Sequence, residues 1–232
     1  MLHKYPPIFG GFIFLLYLWA MAKYSNYRYI YPPRPKNAIM SSDLDFWDNN
    51  TLLGQPKLNG SNCTIYTNGE KHIVMNRHNG RLTNFQITDE ELKSMYRGNG
   101  EWMVINGEYL NKSKSDENRK VFNHKFVIFD ILVLDGDSLV GKTFEERVIL
   151  LDKLYGTKAC EKPYLYGISE NIYRVKSYTS NFLDLYNDLV EIDMIEGLVM
   201  KRRSARLEAG TSELNNVKSQ IKCRKPTKNY RY

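Results

Sequence analysis

The ten residues Lys125–Leu134 constrain the fold most, since KFVIFDILVL is almost entirely apolar, β-branched or aromatic. This composition predicts a strand, and Leu134-Asp135-Gly136-Asp137 directly after it is typical of a turn. A second strand-rich region covers residues 63–75, where Asn68-Gly69 accepts the positive φ angles of a tight hairpin turn. Both regions indicate a sheet with neighbouring antiparallel strands.

Helical patterns alternate with these strands. In Phe144–Tyr155 the apolar residues recur at three- and four-residue spacing, which predicts an amphipathic helix. Shorter helices are predicted over residues 89–97 and 180–192, with Ser180 as the cap of the second. Further strands are expected at residues 101–110, 197–200 and 217–223. The sequence therefore predicts an α+β protein with a mainly antiparallel sheet and one domain over residues 23–232.

The charge of the chain is concentrated near its C-terminal end. The 232 residues include 33 Lys and Arg against 26 Asp and Glu, a formal net charge of +7. Residues 201–232 contain ten Lys or Arg and two acids, whereas the preceding residues are close to neutral. A partner that carries phosphates is therefore expected. Charged residues at 25% and hydrophobic residues at 42% exclude a disordered tail and a multi-pass membrane protein.

Two features bear on the compartment. The three cysteines form no CxxC pair, which argues against a disulfide scaffold or a cysteine zinc site and favours a reducing, cytoplasmic location in a viral or bacterial host cell. Residues 8–22 are apolar without a break, but a spanning helix needs roughly 20 residues. Three interpretations stay open: an upstream extension from a misplaced start codon, with Met21 as the start, a membrane anchor, or a secretory signal. The first is favoured.

Six short segments carry charged, polar or aromatic residues where chemistry is expected. Taken alone, each has an ordinary structural explanation, such as an exposed turn, an edge-strand acid, a core aromatic or a solvated basic tail. The segments are Lys57-Leu58-Asn59-Gly60, in a loop before the hairpin, Arg77-His78-Asn79-Gly80, Gly107-Glu108, Phe129-Asp130, Glu196-Gly197-Leu198-Val199-Met200-Lys201 and Lys222-Cys223-Arg224. Their order and spacing together argue against coincidence. The absence of a GxxxxGK(S/T) loop argues against an ordinary P-loop ATPase.

The series resembles the motifs of the covalent nucleotidyltransferases, which include ATP-dependent DNA ligases, RNA ligases and mRNA capping enzymes. Lys57 to Gly60 is similar to the first motif, K-x-D/N-G, whose lysine takes the nucleotide. The later segments are similar to the second to fifth motifs, in the style of small phage-type ligases. The resemblance covers about residues 28–232. It implies an α+β nucleotidyltransferase fold of the ATP-grasp-like ligase type, with mainly antiparallel sheets and flanking helices.

The resemblance also implies roles for the site residues. An amine attacks the α-phosphorus of ATP only when unprotonated, an ordinary lysine titrates near ~10.4, and neighbouring cations favour the unprotonated form. Lys57 is thus the implied nucleophile, with Lys222 and Arg224 beside it to hold the α-phosphate. The other implied roles are stacking on adenine for Phe129, contact with ribose or phosphate for Arg77, contact with a ribose hydroxyl or a metal-bound water for Glu108, and binding of magnesium for Glu196 with Glu108. ATP and Mg²⁺ are the implied cofactors.

Departures from the motifs leave the substrate open. Asn59 and Gly60-Ser61-Asn62 are closer to one branch of RNA ligases. In contrast, Phe129-Asp130-Ile131-Leu132 and Phe144-Glu145-Glu146-Arg147 resemble DNA ligases. Arg224 replaces the usual second lysine of the fifth motif, which changes the donor geometry. The sequence ends about eight residues after that motif, so the OB-fold domain of most such ligases is expected to be missing.

The resulting hypothesis is a minimal ATP-dependent polynucleotide ligase, which adenylates Lys57, passes AMP to a 5′-phosphate end and seals that end to a 3′-hydroxyl. DNA is slightly favoured, as in repair or replication, and an RNA ligase is the nearest rival. A capping-type guanylyltransferase and a non-catalytic nucleic-acid-binding relic also stay open. The expected partners are nicked or broken nucleic acid and an accessory protein in place of the OB domain. The side chains expected to meet the nucleic-acid backbone are Lys201, Arg202, Arg203, Arg206, Lys225, Lys228 and Arg231.

Overall fold

Strands provide most of the regular structure in the computed structural model, which describes residues 23–111 and 114–226. In chain order the strands are β1 (Arg34–Ile39), β2 (Leu52–Leu58), β3 (Ser61–Thr67), β4 (His72–Asn76), β5 (Met103–Leu110), β6 (Lys125–Leu134), β7 (Asp137–Ser138), β8 (Leu165–Gly167), β9 (Ile172–Val175), β10 (Ile195–Arg202) and β11 (Asn216–Arg224). The helices are α1 (Leu44–Trp47), α2 (Asp89–Met95), α3 (Phe144–Tyr155) and α4 (Phe182–Val190), and a 3₁₀ turn covers Ser41–Asp43. The predicted α+β class is confirmed.

These strands form two sheets. A four-stranded sheet has the order β1-β11-β10-β2, and a seven-stranded sheet has the order β4-β3-β5-β6-β9-β8, with β7 paired to β6. The pairs β1–β11 and β6–β9 are parallel. The other pairs are antiparallel, which confirms the expectation of mainly antiparallel pairing.

The sheets bury two main hydrophobic clusters, and β6 contributes to both of them. Its residues Phe126 and Ile128 belong to one cluster, whereas Val127 between them belongs to the other. Because alternate residues of a strand point to opposite faces, β6 is covered on both sides. This explains why the run Lys125–Leu134 lacks the alternation of apolar and polar residues that marks a strand with one face in water.

Helix α3 has the predicted bounds because its start is fixed locally. The Thr143 side chain accepts from the backbone N–H of Glu146, and the Glu146 carboxylate accepts from that of Thr143, which is a capping box. From the first turn of α3, the buried Arg147 reaches Asp130 of β6 with Nε–Oδ1 and Nη2–Oδ2 distances of 2.8 and 3.0 Å. This bidentate pair fixes the helix against the seven-stranded sheet.

Two local predictions need correction. Ser180 does not cap α4, because its cap is Asn181 in a left-handed conformation, and the Asp48 carboxylate accepts from the amides of Asn181 and Phe182. The hairpin between β3 and β4 has a four-residue loop in place of a two-residue turn, and within it the Asn68 side chain accepts from two backbone amides. In both cases a side-chain oxygen satisfies amides that the backbone leaves open.

Lys57 lies within β2, although the sequence predicted a loop there. The apolar segment 8–22, Lys228 and Arg231 lie outside the described residues, so the interpretations of that segment remain expectations. Among the helices of residues 23–111 and 114–226, none is both long and apolar enough to cross a membrane.

Candidate active site

A cavity of about 870 Å³ lies between the two sheets. Its volume is within the range of ligand pockets, roughly 300–1,000 Å³. The four-stranded sheet contributes Lys57, Glu196, Lys222 and Arg224 to the wall, and the opposite side includes Glu108 and Phe129, while Arg77 lies at the rim. The structure therefore brings together the nucleophile, nucleotide and metal residues that were predicted from the sequence.

The register of the four-stranded sheet explains why distant segments share one face. Three rows of paired residues cross β2, β10 and β11: Lys57, Gly197 and Arg224; Gln55, Val199 and Lys222; Leu53, Lys201 and Gln220. Residues two apart on a strand point to the same side. Lys57 and its row therefore lie at one end of the wall, and Lys201 lies two rows away.

Lys57 is held by a carboxylate that also binds a second cation. Its Nζ lies 2.5 Å from Oε2 of Glu196, and Nη2 of Arg224 lies 3.3 Å from the same oxygen. All three side chains are partly buried, so solvent screens their interaction less than it would at the surface. Burial also lowers the pKa of Lys222, and the charges of Arg224 and Lys57 lower it further. The wall thus has three basic side chains against one carboxylate, which favours an anionic ligand.

A β-bulge directs Glu196 into the pocket. Ile195 pairs with Leu58 and Gly197 with Lys57, so Glu196 is an extra residue between consecutive pairs. Gly197 has φ +136°, and a Cβ placed there would lie 2.0 Å from the carbonyl oxygen of Cys223. A residue with a side chain does not fit this position, which explains why glycine follows the glutamate.

Glu108 contributes a second carboxylate from β5. Burial raises the pKa of Glu108 to about 7, the charge of Lys57 lowers it, and the charge of Glu196 raises it again. Within the described ranges, no group of three or more His, Cys, Asp and Glu side chains is arranged to hold a metal ion. Two carboxylates facing one pocket are nevertheless compatible with Mg²⁺, which keeps several waters and often binds through one or two carboxylates plus phosphates. A cation between them would also relieve their mutual repulsion.

The far end of the pocket contains two polar groups that sequence reasoning missed. Lys201 was expected to meet a nucleic-acid backbone, but it is only 5% exposed, and Nζ lies 4.6 Å from the ring centroids of both Phe129 and Phe144. Burial lowers the pKa of Lys201 to about 8. Gln55 is also buried, its Nε2 donates to Ser177 Oγ (3.0 Å), and its Oε1 has no hydrogen-bond partner among the described residues. A signal for Gln55 was available, because it is two positions before Lys57.

At the rim, Arg77 belongs to a chain of contacts that joins the two sides of the pocket. Its Nε donates to Nε2 of His78 (2.9 Å), so Nδ1 of His78 donates to Glu213 Oε1 at 2.6 Å. Arg34 of β1 donates to the backbone carbonyl of Glu213. Arg81 lines the same rim. None of these three arginines was predicted to contact nucleic acid. Arg77 was assigned to the nucleotide, and Arg34 and Arg81 were given no role.

Apart from Lys201, the predicted nucleic-acid residues within the described ranges are dispersed, and none of them lines this pocket. Arg203 pairs with Glu145, and Arg206 donates to the carbonyl of Gly141 at 2.7 Å. Lys225 donates to the carbonyl of Val190 at the end of α4 (2.9 Å). Arg202 is exposed. Three of these four therefore have partners within the chain, and all four differ from the rim arginines in lying away from the pocket.

Comparison with known proteins gives both a family and a fold. The sequence model of a family described as RNA ligase matches residues 51–220. No curated protein matches the sequence. Similar structures include a mycobacterial DNA ligase D complexed with ATP and MES (TM-score 0.60, 16% identity, 84% of this chain and 60% of that chain). The ligase domain of LigD from M. tuberculosis is also similar (TM-score 0.56, 15% identity, 83% and 58%).

A third similar structure is a Lig E DNA ligase, described as binding DNA with a minimal scaffold (TM-score 0.51, 16% identity, 84% of this chain and 68% of that chain). The chain spans about three fifths of the length of the two ligase D chains. At these identities the likeness shows the fold, which is that of ligase nucleotidyltransferase domains, as predicted.

Proposed function

We propose a function from one premise: this chain belongs to the RNA ligase family. On that premise, it is an ATP-dependent polynucleotide ligase that carries AMP on Lys57. The observation that supports this most directly is the position of the Lys57 amine, which faces a nucleotide-sized pocket. The amine lies 2.5 Å from Oε2 of Glu196, and Lys222 and Arg224 belong to the same wall of the pocket.

In the first step, the unprotonated Nζ of Lys57 attacks the α-phosphorus of ATP. A P–N bond forms, the bond from the α-phosphorus to the β-phosphate bridging oxygen breaks, and pyrophosphate leaves with that electron pair. Glu196 is within hydrogen-bond reach of the amine and holds the proton that it releases. Lys222 and Arg224 stabilise the negative charge on the α-phosphate. Glu108 and Glu196 would hold Mg²⁺, which neutralises the charge of the pyrophosphate when bound.

The later steps transfer the AMP. An oxygen of a 5′-phosphate end attacks the lysine-bound phosphorus, the P–N bond breaks, and Lys57 recovers a proton. The 3′-hydroxyl of the other end then attacks the activated 5′-phosphate and AMP leaves. No further nucleotide is needed for sealing, so one ATP is consumed for each joined end.

The deep end of the pocket fits a purine base. Phe129 offers a ring for stacking, while the ammonium of Lys201 and the free oxygen of Gln55 supply one hydrogen-bond donor and one acceptor. The exocyclic amine of adenine can donate to Gln55, and a ring nitrogen can accept from Lys201. Both groups lack hydrogen-bond partners in the described part of the chain, so a ligand that satisfies them recovers free energy that their burial costs.

The nucleic acid is best placed at the rim, where Arg34, Arg77 and Arg81 surround the opening. DNA is the favoured substrate on the segments around Phe129 and Glu196. RNA is a second candidate because the matching family model is described as RNA ligase. Replacement of the three rim arginines by alanine should reduce the slope of log Kd against log salt by about 2–3, at roughly 0.9 per phosphate on duplex DNA.

A charge-matched control for the rim is the triple alanine replacement of Lys93, Lys153 and Lys158, which are exposed and do not line the pocket. This control should leave the salt slope unchanged. Equal slopes for the two triple variants would contradict the placement of nucleic acid at the rim.

The test of the function is covalent labelling with α-³²P-ATP and Mg²⁺, followed by addition of nicked DNA or nicked RNA duplexes. Lys57→Ala and Lys57→Arg should both abolish labelling, since a guanidinium does not deprotonate near neutral pH. Lys218→Ala, in an exposed position of β11, should label like the wild type. Labelling that persists without the Lys57 amine would refute the proposal, and the duplex that accepts the AMP identifies the substrate.

A further inference from the structure

Asn59 connects the pocket carboxylate to a lysine outside the pocket. Its side-chain amide satisfies both neighbours in one orientation, in which Nδ2 donates to Glu196 Oε1 at 3.1 Å and Oδ1 accepts from Lys114 Nζ at 3.2 Å. Its backbone N–H donates to the carbonyl of Met194 at 2.9 Å, which ties the residue to the segment before β10. The amide therefore contacts the Glu196 oxygen that Lys57 does not use.

Lys114 is itself anchored. Its Nζ lies 3.3 Å from Oδ1 of Asp193, whose Oδ2 accepts from the backbone N–H of Ser115 at 3.0 Å. The Met194 N–H donates to the Ser115 carbonyl at 3.1 Å. These contacts bind the segment at Lys114 to the residues that immediately precede Glu196. The chain of contacts from Asp193 through Lys114 and Asn59 thus ends on the functional carboxylate.

We propose that Asn59 and Lys114 are positioning residues for Glu196. The Asn59 amide fixes Oε1, so that Oε2 is presented to both Lys57 and Arg224. Lys114 fixes the amide in the one orientation that donates to the carboxylate. Glu196 needs this support because it stands on a bulge and has no paired residue on β2. Its backbone carbonyl accepts from the N–H of Lys225 at 2.8 Å, but the position of its carboxylate depends on side-chain contacts.

The choice of asparagine follows from this arrangement. An aspartate at position 59 could still accept from Lys114, but it would present a second negative charge to Glu196 Oε1 and would lose the donor. A neutral amide is the side chain of this size that can accept from a lysine and donate to a glutamate at once. The effect of the two residues on adenylation depends on the proposed function, whereas their contact with Glu196 can be tested without it.

The first experiment measures single-turnover adenylation of the full chain as a function of ATP concentration. Asn59→Ala and Lys114→Met should each lower the maximal rate, by about 10- to 100-fold for Asn59→Ala, while the apparent affinity for ATP changes less than about twofold. The double variant should be no slower than Asn59→Ala alone, because both act through one chain of contacts. Lys114→Arg keeps the donor and should restore most of the rate.

The chain offers a matched control. Asn171 bridges Lys125 and Glu91 in the same way, with Oδ1 2.5 Å from Lys125 Nζ and Nδ2 3.0 Å from Glu91 Oε2, and it does not line the pocket. Asn171→Ala and Lys125→Met should leave the adenylation rate unchanged. Slowing by the control variants to the same extent, or additive effects of Asn59→Ala and Lys114→Met, would overturn the proposal.

The second experiment does not depend on ATP. In a ¹H–¹⁵N spectrum, the side-chain amide pair of Asn59 is identified by its loss in Asn59→Asp. Glu196→Gln and Lys114→Met should shift this pair, and Lys125→Met should not. If the chemical shifts of the Asn59 amide pair stay unchanged in both variants, the positioning role is overturned. A wild-type chain that shows these shifts but no AMP labelling would instead refute the proposed function and leave the contact established.

Discussion

Replacement of Lys201 by methionine should stabilise the unliganded protein while it impairs the reaction. Lys201 is 5% exposed, and its ammonium contacts the rings of Phe129 and Phe144. Among the described residues it makes no hydrogen bond, and the nearby carboxylate of Asp130 is already paired with Arg147. A methionine has similar length and no charge to desolvate. The substitution therefore removes a cost of folding together with the contact proposed for the base.

The magnitude follows from the pKa of Lys201, which falls from 10.5 to about 8 on folding. A shift of this size corresponds to about 3.4 kcal/mol, at 1.36 kcal/mol per unit. The two cation–π contacts return about 0.5–1 kcal/mol each. A net gain of about 2 kcal/mol at pH 7 should raise the melting temperature by roughly 4–8 °C for a chain of this size.

The lowered pKa of Lys201 also determines how the stability difference between Lys201→Met and wild type changes with pH. The folded state binds the Lys201 proton less tightly than the unfolded state, so the cost is complete below pH 8 and disappears as the pH rises to 10.5. Urea unfolding of Lys201→Met and wild type at pH 7 and pH 10 should thus give a smaller difference at pH 10. Lys218→Met, at an exposed position, is the control. A Lys201→Met protein that is less stable than wild type at pH 7 would refute the reasoning.

Three further substitutions test other features by urea unfolding. Gly197→Ala should cost more than about 3 kcal/mol, because its Cβ would lie 2.0 Å from the Cys223 carbonyl oxygen, whereas Gly167→Ala has room and should be tolerated. Asp130→Asn should cost about 3–5 kcal/mol, since it leaves the Arg147 charge buried without its carboxylate; a loss below 1 kcal/mol would contradict this. Glu108→Gln should gain stability relative to wild type as the pH rises from 4.5 to 7, because in this range the folded wild type binds the Glu108 proton more tightly than the unfolded chain does. The gain should reach about 1–2 kcal/mol, since water in the pocket reduces the effect of burial. A difference in stability that does not depend on pH would argue against this.

The elements that were predicted correctly from the sequence are those fixed by local interactions. Lys125–Leu134 and Phe144–Tyr155 have the expected bounds, since one is a continuous apolar run and the other has its own capping box. Strand β2 was missed because Gly54 and Pro56 interrupt it. Tertiary structure accounts for both residues. Pro56 is tolerated because β2 is an edge strand. Position 54 needs glycine because a Cβ there would lie 2.9 Å from the Phe182 ring.

For the candidate site, too, some features were predicted from the sequence and others depend on tertiary structure. The residues predicted as nucleophile, nucleotide contacts and metal ligands do line one pocket. For Lys57, Lys222 and Arg224 this follows from the register of β2, β10 and β11. The burial of Lys201 could not be predicted, since it depends on Phe129 of the other sheet and Phe144 of α3. The basic residues were assigned to nucleic acid by charge alone, and charge does not reveal that Arg203 is paired with Glu145.

The parallel pairing of β1 with β11 has a consequence for how the protein folds. Arg34 pairs with Asn216, so this contact closes a loop that contains most of the described chain. Contacts of such sequence separation form late and slowly. In the seven-stranded sheet, by contrast, the neighbours β3, β4, β5 and β6 are close in sequence and can pair early. Pulsed hydrogen exchange during refolding should therefore protect β5 before β10. Lys57 therefore lies on a strand that has no partner in its sheet until β10 is in place, so the wall of the cavity around it should form after the seven-stranded sheet.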